Sequence, residues 1–214
     1  YVWRTNRRDD GINFLTYSVI IGLTGGIASG KTVCSDWFVA HSIAVIDADV
    51  IAREIVAPGS LLLAELVATF GDDILTVEGA LDRPALRTRV FADMTVRNRL
   101  NAIMQPAIRN ELLKQLCVAP SYPYRILSAP LLLENGLDAL CDIILVIDVS
   151  VETQLARGTR RDQQERDDIA AIIAAQIPRN VRLQCANYII NNENSIAATY
   201  AQLVALYQQF LVWI

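Results

Sequence analysis

The chain has 214 residues, 53% hydrophobic and 20% charged, a balance that excludes a disordered polymer and suffices for one domain or a core with small inserted subdomains. A net charge of −4 argues against nucleic-acid binding driven by bulk electrostatics, while leaving room for a local basic face that takes phosphates. No apolar run reaches the roughly 18 residues of a membrane-spanning helix, and the N-terminus lacks the apolar block of a signal peptide.

Tyr1 to Phe14 are charged, aperiodic and do not begin with Met, so residues 1–16 are read as an N-terminal extension, disordered or non-native, ahead of a domain over 17–214. Arg4, Arg7 and Arg8 in it read as a solvated tail in preference to an anionic-surface anchor. Val19 to Gly25 is then an apolar run, followed by Gly25-x-x-x-x-Gly30-Lys31-Thr32 and the helical stretch Val33 to Val39. Strand, glycine-rich loop and helix in that order form a phosphate loop: the strand fixes its start and the helix N-terminus aims amides and dipole at an anion. Gly25, Gly26 and Gly30 let N–H groups converge on phosphate oxygens, Lys31 is a compact charge for the β/γ-phosphates, and the Thr32 hydroxyl suits Mg²⁺.

Ser42 to Asp49 is predicted as a second buried strand ending in two carboxylates. Asp47 and Asp49 stand two apart at the strand's end, and only one of them is expected to point at a nucleotide; the competing reading is that both cap a helix beginning near Val50. Their place at a strand end favours a catalytic role for one of them. From Val50 to Leu116 the pattern is mostly helical, broken at Pro58-Gly59-Ser60, Gly71 and Glu78-Gly79, with Pro84 opening a helix and Pro106 interrupting or starting another. So long a block between strands reads as a substrate-binding insertion, 57–119. The arginines along Val50 to Leu116, Arg53 and Arg87 among them, read mostly as solvated faces, with one or two for substrate phosphates.

Tyr124 to Pro130 and Cys141 to Val149 are the next strand candidates, the second central, and between them Pro130-Leu-Leu-Leu-Glu134 sets a rigid turn and a carboxylate at a strand's C-terminal edge. In the segment 151–182, Arg157 and Arg161 are four apart and share a helical face, where their charges repel unless an anion, Asp162, Glu165 or Asp167 lies with them. The segment is read as a lid over ATP rather than as surface helix. Ala186 to Asn192 is a short last strand. Ser195 is a candidate cap for a terminal helix whose apolar face, Ile196, Tyr200, Leu203, Leu206, Tyr207, Phe210 and Leu211, reads as core packing rather than a membrane anchor. Cys34, Cys117, Cys141 and Cys185 show no C-x-x-C or zinc spacing and are expected as reduced, largely buried thiols, which fits a cytosol. The core is thus 17–56, 120–150 and 183–214.

The chain has neither Asp-x-x-Gly nor Asn-Lys-x-Asp, so a switch GTPase is poorly supported, and it is short for a motor; a small-molecule kinase remains. Gly22 to Thr32, Val45-Ile-Asp-Ala-Asp-Val-Ile-Ala-Arg53, Pro130-Leu-Leu-Leu-Glu134, Arg157-x-x-x-Arg161-Asp162, Ala174-Ala-Gln176 and Ile189-Ile-Asn-Asn192 together resemble the bacterial dephospho-CoA kinase family over about Tyr17 to Gln209. The resemblance implies an α/β three-layer P-loop NTPase fold with a parallel sheet, a helical substrate-binding insertion and a helical lid. It implies ATP-dependent phosphorylation of the ribose 3′-hydroxyl of dephospho-CoA, with Mg²⁺ on Thr32, in a cytoplasmic monomer or small homo-oligomer that binds neither nucleic acid nor membrane. On this resemblance Asp49 is the general base, and Gly25, Gly26, Ala28, Ser29, Gly30, Lys31, Thr32 and Val33 hold the ATP phosphates. Arg157 and Arg161 reach the transferring phosphoryl, and Asn192 approaches the ATP base. Asp47, Arg53, Pro130, Leu131 and Glu134 belong to the acceptor side. Gln105 stands where members usually carry His, Asn187 where they carry Asp, Ser128 where many have a carboxylate, and Thr32 where Ser is commoner. The alternatives are another P-loop small-molecule kinase, of nucleoside monophosphate or shikimate type, and a nucleotide-binding module without turnover.

Overall fold

The computed structural model describes residues 19–118, 124–162 and 165–212. The extension 1–16 and the Asp162 side chain lie outside the described residues. Strands β1 (Val19–Gly25), β2 (Val45–Asp47), β3 (Tyr124–Ser128), β4 (Ile143–Asp148) and β5 (Tyr188–Asn191) form one sheet in the order β2-β3-β1-β4-β5. Every pairing is parallel, with β1 central: Gly22 lies between Leu127 and Ile144. A parallel sheet needs helices on both faces, which is why β3 and β4 are buried throughout and β4 reads as a nearly continuous apolar run.

The two-residue period of the strands divides the core in two. On one face Leu23, Tyr124, Ile126, Leu145 and Ile147 pack with Phe38 of α1 (Lys31–Ala40) and Leu203 and Phe210 of α9 (Ile196–Val212). On the other, Leu127, Ile144 and Val146 pack with Ile51 of α2 (Ala48–Glu54) and Leu112 of α5 (Met94–Leu116). The terminal helix therefore packs on the core through Leu203, Leu206, Phe210 and the partly buried Tyr207, whereas Ile196, Tyr200 and Leu211, expected on the same face, are exposed; the Ser195 hydroxyl accepts the Ala198 N–H at its start. No helix among the described residues is long and apolar enough to cross a membrane.

A third cluster, Val56, Leu66, Ile74 and Leu86, gathers α3 (Leu61–Phe70) and α4 (Arg83–Ala92) away from the sheet. Local signals set these boundaries: the Ser60, Asp82 and Asp93 side chains cap α3, α4 and α5, and Gly71 at φ 90° ends α3. Pro106 departs from expectation, since α5 runs straight through it. A mid-helix proline removes one backbone hydrogen bond, but packing holds both sides of this one. Ile103 and Met104 before it pack in the third cluster, and Ile108 and Leu112 after it pack beneath the sheet.

The second strand also differs, ending at Asp47, so Asp49 is not a strand residue. Of the cysteines, all free, Cys34 is buried and Cys141 partly so, burial pushing both thiols up to about 12, whereas Cys117 and Cys185 are exposed against expectation. Asn187 works as an acceptor, its Oδ1 taking the Ile144 N–H at 2.7 Å where β4 meets β5.

Helices α6 (Val151–Asp162), α7 (Arg166–Ala175) and α8 (Arg179–Cys185) follow β4. At Gly158 the first two come so close that a Cβ would lie 2.9 Å from Ile169 Cγ2. Ile169 is fully buried and β-branched, so it cannot swing aside freely. Gly158→Ala is expected to destabilise the fold by about 1–3 kcal/mol. Urea unfolding tests this, an unchanged midpoint contradicting the close approach.

Candidate active site

The phosphate loop joins β1 to α1 and is held by side-chain amides from distant segments. Gln154 Nε2 donates to Ile27 O at 2.8 Å, Ile27 N donates to Gln176 Oε1 at 2.9 Å, and Asn192 Nδ2 donates to Ser29 O at 2.7 Å. Two glycines make this possible: a Cβ at Gly26 would lie 2.0 Å from Gln154 Nε2, and one at Gly30 2.2 Å from Asn192 Nδ2. Gly30, at φ 91°, also starts α1, whose first-turn amides have no intrahelical acceptor and face the loop's hollow. Asn192 is itself fixed through Oδ1, which accepts the Thr199 hydroxyl at 2.6 Å.

Lys31 is the first residue of α1. Its Nζ donates to Ser128 Oγ at 2.6 Å and lies 3.4 Å from Asp47 Oδ2, to which Ser128 Oγ donates at 2.8 Å. Ser128, buried at the end of β3, thus bridges lysine and carboxylate where a second carboxylate would have competed for the lysine. Asp47 does cap a helix, as one reading allowed: its Oδ1 accepts the Asp49 and Val50 amides at 2.8 and 3.3 Å. Asp49 sits in the first turn of that helix. With Asp47 as cap and Asp49 in the first turn of α2, both carboxylates line the same cleft, where only one was expected to.

Their proton affinities are driven apart. Burial raises Asp47, but Lys31, the Ser128 hydroxyl and the two amides outweigh it and hold its carboxyl below the usual range. Asp49 has no such donors; burial and the neighbouring Asp47 charge raise it above the usual range, with Lys31 and Arg53 offsetting only part. One carboxylate is locked as an anion, and the other is a readier proton acceptor.

The cleft encloses about 1780 Å³, beyond the roughly 300–1,000 Å³ of a single-ligand pocket. It is lined by Gly25, Gly26, Ala28, Ser29, Gly30, Lys31, Thr32 and Val33 on the loop side, by Asp47, Asp49, Arg53, Pro130 and Leu131 opposite, and by Arg157, Arg161 and Asn192. Arg157 is partly anchored, donating from Nη2 to Asn192 O at 2.9 Å. Glu134 is the exception among the expected residues. It does not line the cleft, and its Oε1 accepts the Ile177 N–H at 2.9 Å instead, because the turn after Pro130 carries it outward to the base of α8.

Sequence reasoning gives no role to Gln154 or Arg160, quotes Gln176 only within a family motif and leaves Arg87 unselected among the arginines for substrate phosphates, yet all four line or hold the cleft. Nor did it find Arg179, which forks onto Asp148 at 2.8 and 2.5 Å, or the buried Arg182, which donates to Ile177 O at 2.9 Å. A glutamine on an otherwise ordinary helix gives no local signal of its partner. No cluster of three or more His, Cys, Asp or Glu able to hold a metal occurs among the described residues.

The fold and loop agree with known proteins. A relative from Idiomarina loihiensis named dephospho-CoA kinase is 47% identical over 197 residues, spanning 92% of this chain and 96% of its own length. A second of that name from Dichelobacter nodosus is 44% identical over 193 residues, spanning 90% and 98%. Among solved structures, a dephospho-CoA kinase from Campylobacter jejuni superposes with a TM-score of 0.68 at 26% identity, covering 89% of this chain and 96% of that one. A Thermus thermophilus protein superposes at 0.77 with 28% identity, covering 91% and 98%. A Bacteroides thetaiotaomicron shikimate kinase, 18% identical at 0.53, shares the fold alone. The family profile described as dephospho-CoA kinase matches residues 19–198, and the chain belongs to that family.

Proposed function

We propose that the cleft transfers the γ-phosphoryl of ATP to the ribose 3′-hydroxyl of dephospho-CoA, giving coenzyme A and ADP, with Asp49 as general base. The observation that carries the assignment is the pair of carboxylates opposite the phosphate loop, Asp47 held anionic by Lys31 and Ser128 and Asp49 raised by burial. Asp49 takes the hydroxyl proton as the oxygen attacks the γ-phosphorus; the bond from phosphorus to the β,γ-bridging oxygen breaks, and ADP leaves. No covalent enzyme intermediate is needed, since positioning and charge neutralisation supply the rate.

The loop amides and Lys31 hold the donor phosphates, and Arg157 and Arg161 meet the transferring group. Asn192 braces the loop beneath the nucleotide, while Arg53, Pro130, Leu131 and the 57–119 insertion form the acceptor side. Asp47 orients Lys31 and starts α2. Segment 151–182 closes as the lid. The Thr32 hydroxyl, exposed at the first turn of α1, suits Mg²⁺ alongside phosphate oxygens and water, and carboxylates stand across the cleft for its waters. Bound there, the ion neutralises phosphate charge. A cytoplasmic monomer or small homo-oligomer, free of nucleic acid and membrane, completes the reading.

A coupled assay of ADP release across a panel of acceptors tests it. Release should require dephospho-CoA, with shikimate and nucleoside monophosphates inert; equal ATP hydrolysis with and without dephospho-CoA overturns the assignment.

A further inference from the structure

The two ends of the lid converge on a single residue of the phosphate loop. Gln154, on α6 and 3% exposed, grips the Ile27 carbonyl, while Gln176, which ends α7, grips the Ile27 amide. We propose that Gln154 and Gln176 are positioning residues that set the phosphate loop for ATP through Ile27 and couple that grip to the placement of the lid; the inference rests on the reading above in taking ATP as the donor.

Three observations support a built connection. Gln154 reaches Ile27 only because residue 26 is glycine, its Nε2 standing 2.0 Å from where a Cβ would be. The next residue, Ala28, has φ 57°, a left-handed conformation that a non-glycine residue keeps only where its surroundings hold it. The two glutamine bonds fix the peptide units on either side of Ile27, the second of which leads into Ala28. The far end of the lid is also tied down, since Ile177 donates to Glu134 and accepts from Arg182. The span from 154 to 176, which carries Arg157 and Arg161, is therefore attached to the loop at both ends, and a displacement of α6 or α7 is transmitted to Ile27. Glu134, expected on the acceptor side, extends this connection to the Pro130 turn.

Gln154→Met and Gln176→Met keep side-chain length and remove the polar end. ATP affinity is titrated at equilibrium without acceptor, and KM values are measured for both substrates. Each variant is expected to raise the ATP Kd and KM about 10-fold while the dephospho-CoA KM stays within about two-fold. Because both act on one residue, the double variant is expected to reach only about 20-fold rather than the roughly 100-fold of independent sites. Should a methionine variant misfold, Gln154→Asn and Gln176→Asn, one methylene short, carry the same readout. An unchanged ATP Kd in either single variant, a parallel rise in both KM values, or full multiplication in the double variant overturns the proposal. A wild-type protein inert toward dephospho-CoA overturns the proposed reaction instead and leaves the ATP titration readable.

Discussion

Asp49→Asn is expected to lower kcat by about 10²–10⁴-fold, the range of a lost general base, while the ATP Kd moves by less than about two-fold. The amide keeps the shape of the carboxylate and its place in the first turn of α2 but cannot take a proton. The pH profile adds a second signature. The base works only when deprotonated, and burial together with Asp47 raises its pKa, so the acid limb of kcat/KM lies above the usual carboxylate range. Asp47→Asn tests the cause: Asn still caps α2, yet the repelling charge is gone, so the acid limb moves to lower pH. Equilibrium ATP titration and pH–rate profiles measure both, and near-normal turnover in Asp49→Asn removes the residue from the chemistry.

Much of this site is legible in the sequence because its parts are local. Gly25 to Thr32 declares itself by spacing and context, and β1 and β4 by largely apolar runs, since strands of a parallel sheet covered on both faces are mostly apolar on both sides. What was not legible depends on contacts between distant segments. Asp49 was read as a strand end because Asp47 is both the last strand residue and the helix cap, and a three-residue strand leaves no period from which to judge. Glu134 adjoins the acceptor turn in sequence and faces the lid in space. The glutamines on Ile27 bridge 127 and 149 residues; no pattern within α6 announces Gln154, and the family motif Ala174-Ala-Gln176 marks Gln176 without naming its partner. Pro106 failed as a break because packing on both its flanks outweighs one lost hydrogen bond.

Lys31→Met is expected to lower kcat/KM by about 10²–10³-fold, the scale for losing one preorganised positive group at developing charge, and, unlike Asp49→Asn, to weaken ATP binding as well. Methionine keeps most of the aliphatic stem, so the loss is one of charge rather than volume. The ammonium is held on the cleft wall by Ser128 Oγ at 2.6 Å with Asp47 Oδ2 at 3.4 Å. The same charge lowers both carboxylates, so removing it raises Asp47 and raises Asp49 further. The acid limb of the residual activity therefore moves to higher pH, opposite to the shift in Asp47→Asn. Opposite movements in two variants of one contact pair separate electrostatics from misfolding, which would cost activity at every pH without moving the limb. Normal ATP affinity in Lys31→Met would mean that the lysine serves Asp47 alone, and that the loop amides and lid arginines hold the phosphates without it.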